Sequence, residues 1–199
     1  GLDTENRPAP EVGDGLGVLS RFPISEADRV PWVGCANEGA ADCLSMKGFL
    51  FTRMTLADGV EVDVYNLHGE AGGSDVDQQL QADGYQQLAA YIRANSEGRA
   101  IVLAGDTNLH TDEPPEDAQD AEDVEIWAEF LETTGLTDAC EPTDCATPGD
   151  IDKGAFRSGG GVEIAAVTQT GASSPTPAGT TPATATGATP SALSSQCVL

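Results

Sequence analysis

"VYNLHGE" at residues 64–70 and "VLAGDTNLH" at residues 102–110 decide how this chain is read. Each grows out of an apolar run that suits a buried strand: "VEVDVYNL" alternates, and "AIVLAG" is continuous. Each then breaks into small polar residues, and between them they hold the chain's two histidines, His68 and His110. Strand ends that release His, Asp and Asn into loops are a common way to build a site on a rigid scaffold.

Outward from these stretches, "KGFLFTRMTLADGVEVDVYNLH" (residues 47–68) predicts a hairpin turning at Ala57-Asp58-Gly59. Ser74, with Asp77 at the position of a capping-box acid, predicts a helix start. Leu80, Gly84, Leu88 and Ile92 recur every fourth residue as its apolar stripe, and Gly98 ends it. "VEIWAEFLETTG" predicts a second helix, closed by Gly135. Upstream, "GLGVLS" (residues 15–20) reads as a short buried strand before the turn "RFPIS", and residues 28–45 as a cystine-tied excursion. "IDKGAFRSGGGVEIAAV" carries one or two late strands. From about residue 168 the chain turns to Thr, Ala, Pro, Gly and Ser, which cannot bury enough apolar surface to fold. Residues 1–167 are therefore expected to form one domain, and 168–199 a disordered tail or linker.

The 199 residues carry a net charge of −24, a surface that repels nucleic acid and anionic lipid at long range. The acids are densest over residues 111–129, read as a charged loop leading into a helix, and that run lacks the D-x-D-x-D-G spacing of a calcium loop. The chain shows no membrane-spanning stretch and no signal peptide, and its start at Gly1 is read as processing or truncation. Cys35 and Cys43 bracket one short acidic loop, Cys140 and Cys145 another. Two local disulfides in an oxidising compartment are the favoured reading. A zinc site is the rival, disfavoured by the absence of C-x-x-C spacing and the scarcity of His. Cys197 is left over in the tail.

Strands that alternate with helices around an embedded hairpin indicate a mixed α/β protein. Within that frame, "SRFPI", the N-x-H of Asn66 and His68, and the G-D-x-N of Gly105, Asp106 and Asn108 resemble the endonuclease/exonuclease/phosphatase superfamily, over about residues 13–165. "CLSMKGFLFTRM" and the short cystine loops look most like its secreted, sphingomyelinase-like branch. The resemblance implies a DNase I-like four-layer α/β/β/α sandwich, here truncated, and magnesium-dependent hydrolysis of phosphoesters. It implies that Asp106 orients water or metal, that Asn108 donates to a phosphate oxygen, and that His68 contacts the phosphate and helps the leaving oxygen. Asn66 would support the site and Asp152 would anchor it. The expected substrate is a lipid headgroup or small phosphoester rather than duplex DNA, the expected location secreted or periplasmic, and the expected state a monomer.

Two family motifs are not found. A Gln-Glu after an early strand, whose Glu is a principal metal ligand, has no counterpart; Glu11 and Asp14 are the nearby acids and neither follows an apolar strand. The terminal Ser-Asp-His has none either, because no third histidine exists. His110 is read as a bystander, and Lys47 as either a surface lysine or a substrate contact. The expectation is an impaired hydrolase. The alternatives are an inactive binding module of the same fold, or an acidic disulfide-bonded interaction protein.

Overall fold

The computed structural model describes residues 13–36, 42–112, 114–143, 145 and 147–167. Its elements are β1 (Ile24–Pro31), a short 3-10 turn (Asp42–Leu44), β2 (Gly48–Ala57), β3 (Val60–His68), α1 (Asp75–Asn95), β4 (Ile101–Asp106), α2 (Ala118–Thr134), β5 (Thr137–Asp138) and β6 (Asp152–Arg157). The strands form one six-stranded sheet in the order β1-β2-β3-β4-β6-β5. The β3–β4 pair is parallel, with α1 as its crossover, and every other pair is antiparallel.

The hairpin turns where the sequence puts it: β2 and β3 pair antiparallel around Asp58-Gly59, with Gly59 at φ 74°. Helix α1 starts on the expected reciprocal cap, in which the Ser74 side chain accepts from the Asp77 amide and Asp77 returns to the Ser74 backbone. Its stripe needs correction. Gly84, Leu88 and Ile92 are buried as expected, but Leu80 is only partly buried and Asp77, Gln78, Gln81 and Tyr85 are buried too, so the half of α1 nearest the site is polar. A 3.6-residue period does not keep strict i+4 spacing on one face over five turns. The helix closes at Ser96, before Gly98. Helix α2 begins at Ala118, inside the acidic run, behind an Asp117 cap, and ends at a left-handed Gly135 as expected.

Two further readings are corrected. Residues 15–20 are not a strand; Leu19 is 95% exposed, and the segment lies irregularly over the sheet. Conversely, residues 24–31, placed in the turn and the cystine excursion, form the edge strand β1. Its polar alternation, "ISEADRVP", carries little apolar signal because only its last residues are shielded. Of the late strands, β6 forms and only an isolated Gly159–Val162 bridge follows it.

The two sheet faces differ. Phe49, Phe51, Tyr65, Leu67, Ile101 and Leu103 point toward the helices and meet Tyr85, Leu88, Ile92, Trp127 and Phe130. On the other face Met54, Val62, Val64 and Val102 are covered by partly buried Val18, Val162, Ile164 and Val167. The α/β character expected from the sequence holds. Of the four layers, the described residues supply one sheet and the helices of one face. Both expected disulfides are formed, Cys35–Cys43 and Cys140–Cys145, with Cα atoms 5.3 and 5.2 Å apart. The tail 168–199, Cys197 and Glu11 lie outside the described residues.

Candidate functional site

Register assembles the site. Gly48 pairs with His68, His68 with Asp106, and Asp106 with Asp152, so one row crosses β2, β3, β4 and β6 at one end of the sheet. His68 and Asp106 end their strands and Asp152 begins its own, which is how a parallel pair and an antiparallel neighbour deliver their polar ends to one edge. His68 Nε2 lies 3.8 Å from Asp106 Oδ2, and both side chains are 32% exposed. His68 Nδ1 is 3.4 Å from the Asp14 carbonyl oxygen, while its own carbonyl accepts from Trp32 Nε1 at 2.8 Å. Asn66, further down β3 and 1% exposed, donates to the Gly17 carbonyl at 3.2 Å and so ties the 14–18 segment to the sheet.

Asp106 Oδ1 accepts from the Asn108 amide at 3.1 Å, the turn expected of G-D-x-N. Asn108 adopts the left-handed conformation, φ 52°, the only described non-glycine residue to do so. Its Nδ2 donates to the Gly69 carbonyl at 3.0 Å, so one of its amide hydrogens bridges the two site loops. The loops also meet through Gly69 N, which donates to Asp106 O at 2.8 Å. Thr107 fastens to Ile151 O twice, by its amide at 2.8 Å and its hydroxyl at 2.6 Å. Below them, Glu70 is 3% exposed and accepts from Ala36 N at 2.8 Å, which links the first cystine loop to the loop after His68.

Burial raises the Asp106 pKa above the ordinary aspartate value; His68 and the Asn108 amide oppose the shift, Asp152 adds to it, and Lys47 opposes it. Lys47 is therefore electrostatically part of the site, and it is buried, 6% exposed, rather than a surface lysine. Asp14 is ion-paired with Arg29 and turns only its carbonyl to His68. The His110 side chain is exposed, and its amide donates to Asp123 Oδ2 at 2.9 Å.

Among the described residues, no group of three or more His, Cys, Asp or Glu side chains is arranged to hold a metal ion. Asp106 and Asp152, facing partners in the β4–β6 register, are the carboxylates of the row. Magnesium takes one or two carboxylates and completes its shell with water and phosphate oxygens, so this pair fits a loosely held ion and not a fully caged one. Two grooves lie away from this row, one between α1 and α2 and one between the end of β1 and α1.

Asp123 gives a testable consequence for the loop after β4. It is fully buried, accepts from Gln78 Nε2 at 3.0 Å and from His110 N, and its pKa is raised, first by burial and then by Asp120, against its hydrogen bonds and His110. A carboxyl whose folded pKa exceeds its unfolded value holds more protons folded than unfolded between the two. Its ionisation then costs stability as pH rises, fully so above the folded pKa. Asp123→Asn keeps an acceptor for His110 N, and a flipped Gln78 amide, whose oxygen has no hydrogen-bond partner, can accept from it. We expect the variant to lie within about 1 kcal/mol of the parent at neutral pH, and its advantage to grow as pH rises from below the ordinary aspartate range. Urea titrations at several pH values check this; an advantage that shrinks with rising pH contradicts it.

The α/β fold, a six-stranded mixed sheet with helices against one face, is similar to that of DNase I-like domains. Sphingomyelinase C from Streptomyces griseocarneus superposes with a TM-score of 0.53 at 20% identity, over 83% of this chain and 63% of that one. An endonuclease/exonuclease/phosphatase protein from Beutenbergia cavernae gives 0.52 at 19% identity, over 69% and 38% of the two chains. At these identities the likeness concerns the fold. In sequence, the chain is similar to the sphingomyelinase of Mycobacterium tuberculosis, with 34% identity over 168 residues, 77% of this chain and 31% of that protein. The chain thus spans about a third of the length of the curated relatives it matches. No protein-family profile matches it.

Proposed function

We propose that this chain carries the phosphate-facing half of a metal-dependent phosphodiesterase site of the sphingomyelinase type. The observation that supports this best is the row His68–Asp106–Asp152 beside the Asn108 turn, on this fold. Asp106, with Asp152 beside it, would hold a magnesium ion, which when bound neutralises phosphoryl oxygens and acidifies water. His68 donates to the phosphate or to the leaving oxygen, and the second amide hydrogen of Asn108 is available to a phosphoryl oxygen. Asn66 and Lys47 keep the edge ordered and electrostatically balanced. The charge of −24 disfavours duplex DNA and accords with a zwitterionic lipid headgroup, whose ammonium it attracts. Both cystines accord with an oxidising, extracytoplasmic location, and among the described residues no helix is long and apolar enough to cross a membrane.

The chain has no third histidine to act as a positioned base, and its carboxylate pair holds the ion weakly. Loss of general-base help costs on the order of a hundred- to ten-thousand-fold. Two tests follow from this reading. Paramagnetic Mn2+, standing in for magnesium, should broaden the His68 ring and Asn108 side-chain resonances, and Asp106→Ala should abolish that broadening. Broadening confined to the acidic helix α2 would remove the metal assignment. Hydrolysis of sphingomyelin and of bis-p-nitrophenyl phosphate with magnesium should stay at background for this chain and be unchanged by Asp106→Ala. Robust turnover abolished by that substitution would show the site to be complete.

A further inference from the structure

Helix α1 turns a polar row toward the two site loops, where an amphipathic helix would ordinarily bury aliphatic side chains. Gln81 is its centre. It is 1% exposed, and its Nε2 donates to the Glu70 carbonyl at 3.0 Å and to the Asn108 carbonyl at 3.2 Å. The first acceptor lies in the loop that follows His68, the second in the loop that follows Asp106. One turn along, Tyr85 donates its hydroxyl to Thr107 O at 3.0 Å. One turn back, Gln78 reaches the same loop through Asp123 and the His110 amide.

The orientation of the Gln81 amide is fixed by what it touches. Exchanging its ends would set a carbonyl oxygen against two carbonyl oxygens. In the observed orientation both donors are used, and Oε1 is buried with no protein hydrogen-bond partner. A buried side chain with an unmet acceptor is a poor choice for packing alone, since Met or Leu fills similar space without that cost. What the glutamine adds is a single rigid group bonded to both loops at once.

We propose that Gln81 is a positioning residue of the site: by bonding the Glu70 and Asn108 carbonyls together, it sets the spacing between the His68 loop and the Asp106–Asn108 turn. This rests on the reading of that edge as the phosphate site, but its test does not depend on turnover or on metal binding. The chain itself is compared with Gln81→Met, which keeps the length and removes the donors. Gln87→Met serves as the control. Gln87 is the equivalent clip elsewhere on α1, donating to Pro31 O and accepting from Val33 N, each at 3.0 Å.

Residue-resolved amide exchange and the His68 ring and Asn108 side-chain resonances are the readouts. In Gln81→Met the Gly69 and Asn108 amides should exchange roughly tenfold faster or more, because their loops lose a shared bond. Amides of the β2–β3 ladder should keep their rates, and the His68 and Asn108 resonances should move. Gln87→Met should leave all of these in place. Gly69 and Asn108 rates within about twofold of the parent, set against the change expected for a lost bond, would overturn the proposal. So would a uniform acceleration through the whole chain, the mark of a helix residue that merely adds stability. Should Gln81→Met fail to fold, Gln81→Asn, which keeps an amide too short to span both carbonyls, is judged by the same two outcomes. Loss of Mn2+ broadening in the parent chain would strike the functional reading alone, and unchanged loop exchange the clip alone.

Discussion

Gly105→Ala will abolish cooperative folding or lower the urea midpoint by more than about 1 M. Gly105 pairs with Leu67 across the parallel β3–β4 ladder, and a Cβ placed on it would lie 2.1 Å from the Leu67 carbonyl oxygen and 2.8 Å from the Leu67 nitrogen. Both obstacles are backbone, so no rotamer change relieves them. The strands would have to separate where they deliver His68 and Asp106 to the site. Overpacking of this kind costs about 1–3 kcal/mol even where side chains can yield. Here the backbone itself, at φ 156°, adds a conformation that alanine resists. Against a total stability of about 5–15 kcal/mol for a domain, the two costs together remove a large share of the margin, and all of it if the chain lies at the low end. The glycine of G-D-x-N is thus a packing requirement, and the aspartate and asparagine are what it makes room for. Chemical denaturation followed by tryptophan fluorescence measures the effect, and an unchanged midpoint refutes it.

Asp63→Ala should destabilise the chain by about 3–5 kcal/mol, the cost typical of breaking a buried ion pair from one side. Asp63 is fully buried at the sheet end opposite the site. It accepts from Arg53 Nε at 2.7 Å and Nη2 at 3.0 Å, from Ser96 Oγ at 2.6 Å and from Arg99 Nε at 3.0 Å. The first of these bonds is the main reason the Arg53 guanidinium is held even further above its usual range, in opposition to its partial burial. Removing the carboxylate leaves two guanidinium groups crowded together, with only Glu26, Glu61 and the Asn95 carbonyl to share them. Glu26→Ala is the natural contrast. Its side chain is 56% exposed, and an exposed pair contributes at most about 1 kcal/mol. Thermal unfolding of the two variants side by side should show a large loss for the first and a small one for the second. Similar losses would mean that the network is not centred on Asp63.

The elements that carry the site were legible in the sequence because several local signals agree there. The hairpin has both alternation and a turn dipeptide, α1 has a reciprocal cap, and the N-x-H and G-D-x-N fall at apolar strand ends. The two cystines were legible for a related reason: each pair brackets a short acidic stretch of sequence, and no C-x-x-C spacing competes. Strand β1 was not legible, because an edge strand with one shielded end has no apolar period to detect. The supposed strand at residues 15–20 failed in the opposite way: Val18 lies against the sheet without the segment joining it, and Leu19 faces solvent. Gln81 was hidden by the assumption that a helix facing a sheet buries only apolar side chains. The mismatch of Gln at an inward position was the available signal, and fixed i+4 counting from Leu80 passed over it. The burial of Lys47 depends on register between distant strands, which no local pattern reports.

The edge strand has a last consequence. On one side the sheet ends in β1, whose outward residues include Glu26, Asp28 and Arg29, whose pairing with β2 is irregular between Ile24 and Glu26, and whose final residue is Pro31. On the other side it ends in β5, two residues long. A neighbouring chain that tried to extend the ladder would meet charge and a missing amide at one border, and too few backbone groups at the other. Among the described residues, growth by addition of strand to strand, the route to fibres, is hindered at both borders. Contact between copies through the described faces of the sheet or the outer surfaces of the helices would instead be made by side chains, and would end when the surface is covered.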